Sequence, residues 1–241
     1  MHVPLAFLLA ILPVWAAQTP MAADLVAKNI AARGGAEKIR AITSMRVTRT
    51  VGTPFATVRV VMLRQRPHSL RVEQTVSGKP TTARLTTPKG AWDETPQGWV
   101  ARPPAVTTEL VEVDADFDGF LVDYEQKGHR IAYAGQENVG GRPAHHVKVT
   151  LKSGAERSVY LDAETFLERR HTGAVILPNN TRVATVLDFS DWREVAGVMF
   201  PFAIDEDRAA AWQTFAVYVE KIEVNVPIDQ AAFAPPTETR K

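Results

Sequence analysis

Asp114, Asp116, Asp118, Gly119 and Glu125, within the stretch DADFDGFLVDYE, fall at the spacing D-x-[DN]-x-[DN]-G-x5-E. Alternate acids of this kind can wrap a hard cation in oxygen ligands, and the pattern is that of an EF-hand calcium loop. An EF-hand also needs a helix on each side of the loop. A short helix can precede this one, but Gln126-Lys127-Gly128 breaks the chain directly after it and HRIAYAG then reads as a strand. Phe117 and Phe120 make the loop apolar where calcium loops are polar. Two readings stay open: a calcium site, or solvated acids on a lid-like loop whose aromatic rings turn inward.

Other chemistry-bearing residues are sparse. His145-His146 invites a metal, but neighbouring side chains on a strand point to opposite faces, so the pair cannot readily chelate one ion. Glu109 and Glu112 are close in sequence without a recognisable acid–base setting. The chain has no His-Glu-x-x-His, Gly-x-Ser-x-Gly, phosphate loop or Gly-x-Gly-x-x-Gly. No catalytic residue, metal or cofactor is therefore expected. A hydrolase assembled from residues distant in sequence is the alternative that only an activity screen addresses.

The elements that must position any site are clearer. Of 241 residues, 45% are hydrophobic and 23% charged, which is ordinary for a globular protein with a sizeable core. A net charge of +1 offers no basic surplus for nucleic acid. The absence of cysteine excludes disulfides, thiolate metal sites, cysteine nucleophiles and a lipid-modified N-terminal cysteine. MHVPLAFLLAILPVWAAQTP carries a short apolar run, and Val14-Trp15-Ala16 suits cleavage after Ala16. Residues 1–16 are expected to be a signal peptide. Residues 17–241 are expected to be one exported, soluble domain.

DLVAKNIAARGGAEKIRAI, Asp24 to Ile42, reads as two short helices divided by Gly34-Gly35. From Met45 the apolar period becomes two, as in HSLRVEQTV, HHVKVTLK and TRVATVLDF, and turn signals such as Ser77-Gly78, Gly140-Gly141 and Ser153-Gly154 recur at short intervals. This is the pattern of half-buried antiparallel strands, about ten or eleven of them. Val106 to Val113, after Pro103-Pro104, interrupts them with a helical turn or two. Between Val219 and Ile222 the apolar phase slips by one, which a β-bulge near Glu220-Lys221 would restore. The expected fold is mainly β with α, a curved antiparallel sheet whose aromatic residues either simply pack its core or leave, beneath a helical lid, a cavity that could hold an acyl chain.

Several blocks, in order, carry a family resemblance: IAARGGAEKIRAITSMRV, DFDGFLVDYEQKGHRI, VGGRPAHHVKVTLKSG, VYLDAETFLERR, FSDWREVAGVMFPF and VNVPIDQAAFAPP. Together they span nearly all of residues 17–241, and the chain resembles the outer-membrane lipoprotein-sorting proteins, the LolA-like group of periplasmic carriers. The resemblance implies an unclosed β-barrel of antiparallel strands with helices covering its mouth, and a cavity that shields acyl chains. It also implies an arginine of an Arg-Pro pair that hydrogen-bonds the lid and holds the cavity shut; here this is Arg66 in RQRPHSL. Candidate cavity and lid residues are Val60, Met62, Leu70, Val72, Trp92, Trp99, Phe117, Phe120, Leu121, Phe189 and Phe200.

The leading expectation is a monomeric, non-enzymatic carrier of a lipid or lipoprotein acyl chain toward the outer membrane, with inner- and outer-membrane transfer partners and no nucleic acid. The alternative is a periplasmic sensor or scaffold that uses the same fold to bind a membrane-protein ectodomain.

Overall fold

The structure, a computed structural model, describes residues 15–53, 56–209, 213–237 and 239–240. Most of the signal-peptide expectation, residues 1–14, lies outside the described residues. The helices are α1 (Trp15–Ala32), α2 (Ala36–Ala41) and α3 (Pro104–Val113), with a 3-10 turn at Gln230–Phe233. None of the described helices is long and apolar enough to cross a membrane.

The strands are β1 (Ser44–Gly52), β2 (Thr57–Gln65), β3 (Ser69–Val76), β4 (Thr82–Thr87), β5 (Gly90–Thr95), β6 (Gly98–Ala101), β7 (Arg130–Val139), β8 (Arg142–Thr150), β9 (Glu156–Asp162), β10 (Glu168–Ile176), β11 (Arg182–Val195), β12 (Val198–Arg208), β13 (Gln213–Val224) and β14 (Thr239–Arg240). All fourteen join one sheet, in the order β14-β6-β5-β4-β3-β2-β1-β13-β12-β11-β10-β9-β8-β7. Every pairing is antiparallel except the two-residue β14 against β6. The count exceeds the expected ten or eleven because strands such as Gly98–Ala101 are too short to display an alternation.

The sheet is an unclosed barrel. β6 and β7 do not pair, and the chain between them, residues 102–129, crosses the open seam and carries α3. Helices fill the two wings of the concave face. On one wing, Ala22, Leu25 and Val26 of α1 pack against Ile131, Val147, Val149, Val159 and Leu161. On the other, Val106 and Leu110 of α3 pack against Ala91 and reach Ile176 of β10. At one mouth, Ile39 and Ile42 of the α2 region meet Met45, Val47, Val122 and Val198.

Two local expectations are realised in the backbone. The β1–β13 register passes from Thr48↔Lys221 to Arg49↔Val219, so Glu220 is the extra residue of a bulge. Its insertion keeps Val217, Val219, Ile222 and Val224 available to the interior despite their change of parity. The Gly34-Gly35 break divides α1 from α2, and both glycines are left-handed, at φ 112° and 96°. At Gly34 the turn also approaches the β11–β12 hairpin: a Cβ there would stand 2.1 Å from the Gly197 carbonyl oxygen. The Met199 amide donates to the Arg33 carbonyl at 3.0 Å beside it. At Gly35 nothing lies within 4 Å of such a Cβ.

Gly34→Ala is therefore expected to destabilise the fold by more than about 1 kcal/mol, and Gly35→Ala by less, since only the first adds a clash to the backbone strain. Thermal melts of the two variants check the order. Equal losses would show that the approach to Gly197 is unimportant.

Candidate functional site: a lidded cavity

Between the two wings lies a cavity of about 360 Å3. Its sheet wall carries Met45, Val47, Met62, Leu187, Phe200, Ile204, Val219 and Ile222; the loop after α3 supplies Phe117 and Phe120. The volume sits at the low end for small-molecule sites. A wider hollow of about 850 Å3 adjoins it where β9 and β10 part around Arg157, sharing Arg157, Thr172, Gly173 and Thr185. That end is also lined by Glu156, Ser158, Asp207 and Arg208.

The lid is the segment 114–119, and cations from several elements pin it. Arg66, at the end of β2, donates from Nε to the Ile42 carbonyl at 2.6 Å and from Nη2 to the Ile39 carbonyl at 2.8 Å. The same guanidinium grips the Asp118 carboxylate through both Nη atoms, at 2.7 and 2.6 Å. It also lies 4.7 Å over the Phe117 ring. Arg64 Nη2 donates to the carbonyls of Asp114 and Asp116. Arg33 Nη1 donates to the Asp118 carbonyl at 3.1 Å. Lys127 Nζ holds Asp116 at 2.7 and 2.9 Å and the Gly119 carbonyl at 2.8 Å.

This arrangement corrects one reading of the calcium-like pattern. Asp116 and Asp118 are not solvated; they are 5% and 6% exposed, and both are consumed by ion pairs. Glu125 instead accepts from the Tyr124 hydroxyl at 3.0 Å. Among the described residues no group of three or more His, Asp or Glu is placed to hold a metal. Phe117 and Phe120 do turn inward.

The helix of the lid is tied as well. Glu109 of α3 accepts from Arg182 Nε and Nη2 at 2.9 and 2.7 Å and from Arg157 at 3.4 Å. Arg102, 7% exposed, donates across the seam to the carbonyls of Leu177 and Pro178 and to Asn180. Sequence reading assigned none of these roles, because each pairs a residue near α3 with strands more than forty positions away.

Of the candidate residues, Met62, Phe117, Phe120 and Phe200 line the cavity. Val60, Leu70 and Val72 face the same side, since the register aligns Arg49↔Val60, Arg64↔Leu70 and Met62↔Val72, but they are not part of its lining. Phe189 stands edge-on to His171, a lining residue, at 4.7 Å. Leu121 is buried in the α1 wing. Trp92 and Trp99 are on the opposite face: the aligned row Leu63, Arg71, Leu85, Trp92 and Ala101 has the other parity, and Leu85 and Trp92 pack there with Phe233. The cavity thus holds fewer aromatic rings than expected.

It holds more charge than expected. Glu168 lies in the wall, with Arg33 Nη1 at 3.6 Å and His171 Nε2 at 3.3 Å. Burial would push its carboxyl up, but the Arg33 charge and the His171 hydrogen bond outweigh this and hold it at about 2. Burial pushes the Asp114 carboxyl up, against the pull of Arg84 and Arg64. It pushes the Arg49 and Arg64 guanidiniums down.

A second constellation lies outside the cavity, on the outer face of β7–β9. Glu137 Oε1 is 2.8 Å from His146 Nδ1, and His146 Nε2 is 2.9 Å from Ser158 Oγ. This is the acid–imidazole–hydroxyl order of a serine hydrolase. Such an enzyme also needs donors aimed at a developing oxyanion. Ser158 is mid-strand, aligned with Lys148 on one side and Thr172 on the other, so its backbone faces a ladder on each side. Tyr160 stacks on the imidazole at 4.4 Å. The three side chains stitch three strands together.

Three solved structures share this architecture. A LolA superfamily protein from Nitrosomonas europaea superposes with a TM-score of 0.59 over 89% of this chain and 97% of its own, at 11% identity. The fold is LolA-like. A DUF1329 family protein from Desulfovibrio piger has this LolA-like fold too, with a TM-score of 0.57 over 90% and 97% at 11% identity. So does a putative outer membrane lipoprotein-sorting protein domain from Vibrio parahaemolyticus, with 0.54 over 89% and 97% at 8% identity. No family model and no curated protein matches the sequence.

Two outcomes are expected. Glu168 is depressed from an ordinary 4.5, so its stabilisation is complete above about pH 4.5 and is lost as pH falls toward 2. Glu168→Gln should lower the melting temperature at pH 7 and flatten its decline across that window; an unchanged profile would remove Glu168 from the network. Hydrolysis of a p-nitrophenyl ester should be the same for the wild-type chain and Ser158→Ala. Turnover that depends on Ser158 would make the Glu137–His146–Ser158 array a catalytic one.

Proposed function

We propose that this protein is a non-catalytic periplasmic carrier that takes the acyl chain of a lipid or lipoprotein into its half-barrel cavity for delivery toward the outer membrane. One observation carries this reading: a cavity remains over the apolar row Met45, Val47, Met62, Phe200, Val219 and Ile222, which the α2 region meets at one mouth and which is otherwise faced by a short loop latched by side chains. The LolA-like fold supports the same reading, as do the apolar run and cleavage pattern of residues 1–16.

Binding rests on burial of apolar area, worth about 25 cal/mol per Å2 before the entropy of ordering the chain is subtracted. Release requires the 114–119 segment to move, and Arg66 is its latch. Removing Arg66 outright would leave Asp118 buried without its partner, at a cost of about 3 to 5 kcal/mol. Arg66→Lys keeps the charge and discards the fork of donors, so it weakens the latch without stranding the acid.

The test begins with the chain purified from a periplasm without detergent and extracted into organic solvent. A stoichiometric lipid is expected by mass spectrometry. The extracted protein should then accept a fluorescent acyl chain from vesicles, and Arg66→Lys should exchange it several-fold faster. Wild-type protein that neither carries nor accepts an acyl chain overturns the carrier reading. Unchanged exchange in Arg66→Lys and Arg66→Leu removes Arg66 as the latch.

A further inference from the structure

The polarity of the cavity wall breaks its own pattern at two positions. In β1, Met45 and Val47 face the cavity and the next residue in phase is Arg49; in β2, Met62 faces it and the next in phase is Arg64. The register sets Arg49↔Val60, Val47↔Met62 and Met45↔Arg64, so the two arginines bracket one apolar row. They stand four residues apart along paired strands, about 13 Å at the backbone, within reach of a common group for side chains this long.

The remaining charges of the wall are largely matched. Arg33 has Glu168, Arg157 has Glu109, Asp116 has Lys127 and Asp118 has Arg66. Arg49 makes no hydrogen bond or ion pair among the described residues, and its Nε is buried without an acceptor. Arg64 spends Nη2 on lid carbonyls, but its Nε is also buried without an acceptor. Around Arg49 the favourable charges are Glu206 and Asp114; Arg64 and Arg208 oppose. Glu206 is itself taken by Arg208 at 2.6 Å, and Asp114 is 3.9 Å from Arg84. An uncompensated guanidinium in an apolar wall is costly, and an anion that accepted from it would remove the cost.

Resting on the carrier reading above, we propose that the cavity selects an anionic amphiphile, with a phosphate or carboxylate head on Arg49 and Arg64 and one chain along Val47, Met62, Phe117 and Phe200. The chain supplies affinity by burial; the two guanidiniums supply selectivity, because their planar forks match either oxyanion. Such a ligand would also draw on Arg64, which already touches the lid, so the headgroup and the lid share one side chain.

The experiment is calorimetric titration of lipid-stripped protein with ligands of one chain length, below their micelle concentrations. Palmitate and palmitoyl lysophosphatidate are the anionic probes. Monopalmitoylglycerol and palmitoyl lysophosphatidylcholine are the net-neutral ones, and inorganic phosphate and acetate lack the chain. At least one anionic amphiphile is expected to bind about tenfold or more tightly than the neutral ones, because a charge-assisted bond is gained. The chainless anions should bind far more weakly. Tighter palmitate would mark a fatty-acid carboxylate as the source of the head, and tighter lysophosphatidate a lipid phosphate.

Arg49→Gln should bring anionic and neutral ligands within about threefold of each other. It should also raise the melting temperature of the lipid-stripped protein, an effect opposite to that of removing a structural contact. Equal binding of neutral and anionic chains would overturn the headgroup proposal and leave the carrier reading standing. Chainless phosphate binding as tightly as lysophosphatidate, or full anion preference in Arg49→Gln, would also overturn it. Failure of every amphiphile to bind would overturn both.

Discussion

The contact between Arg66 and Asp118 organises the molecule around its cavity. Arg66 follows β2, and its guanidinium makes four hydrogen bonds, two to carbonyls at the end of the α2 region and two to the Asp118 carboxylate of the lid. The carbonyls at the end of a short helix have no intrahelical partners and need donors from elsewhere. A buried carboxylate needs a fixed cation. One side chain satisfies both, which is why the position suits arginine and would suit lysine poorly. The seam between β6 and β7 makes such a latch necessary. An open barrel edge exposes unpaired backbone, and here the chain that links the two edges lies across the opening.

The lid is held by charge where the rest of the core is held by apolar packing. The difference has a consequence for binding. Phe117 and Phe120 cover the same apolar wall that an acyl chain would cover, so a lid held by those rings alone would compete with its cargo for one surface. The ionic contacts of Arg66, Arg64, Arg33 and Lys127 do not use that surface. In the low dielectric beneath the lid each of these contacts is stronger than it would be in water, and each is costlier to break singly.

Much of the fold was legible in the sequence because it follows from period and punctuation. The Gly34-Gly35 break, the helical interruption after Pro103-Pro104 and the phase slip at Glu220 each have a local physical cause, and each appears where expected. The candidate site was legible only in part. Alternation sorts residues into two faces without saying which is concave, so Trp92 and Trp99 were grouped with Phe200 although they share the outer row with Leu85. Aromatic size is a guide to burial and says nothing about which of two buried faces is meant. The lid contacts were hidden for another reason: Glu109 with Arg182, or Arg102 with Leu177, are brought together only when the sheet curls.

The most informative signal was polar. Arg49 and Arg64 stand in phase with Val47 and Met62, and a charge on the apolar phase of a strand has only a few physical outcomes. It can mark a strand whose faces are reversed, a buried ion pair, or a site that receives an opposite charge. The register rules out the first, since Met45↔Arg64 and Val47↔Met62 lie on one face. The second accounts for Arg66, Arg33 and Arg157. The calcium-like acids belong to the same logic: Asp116 and Asp118 are taken by Lys127 and Arg66. Acids evenly spaced along a loop therefore fit nearby protein cations as readily as a metal. Arg49 is the residue left over when that pairing is complete, so the demand for an anion falls inside the cavity beside the row an acyl chain would occupy.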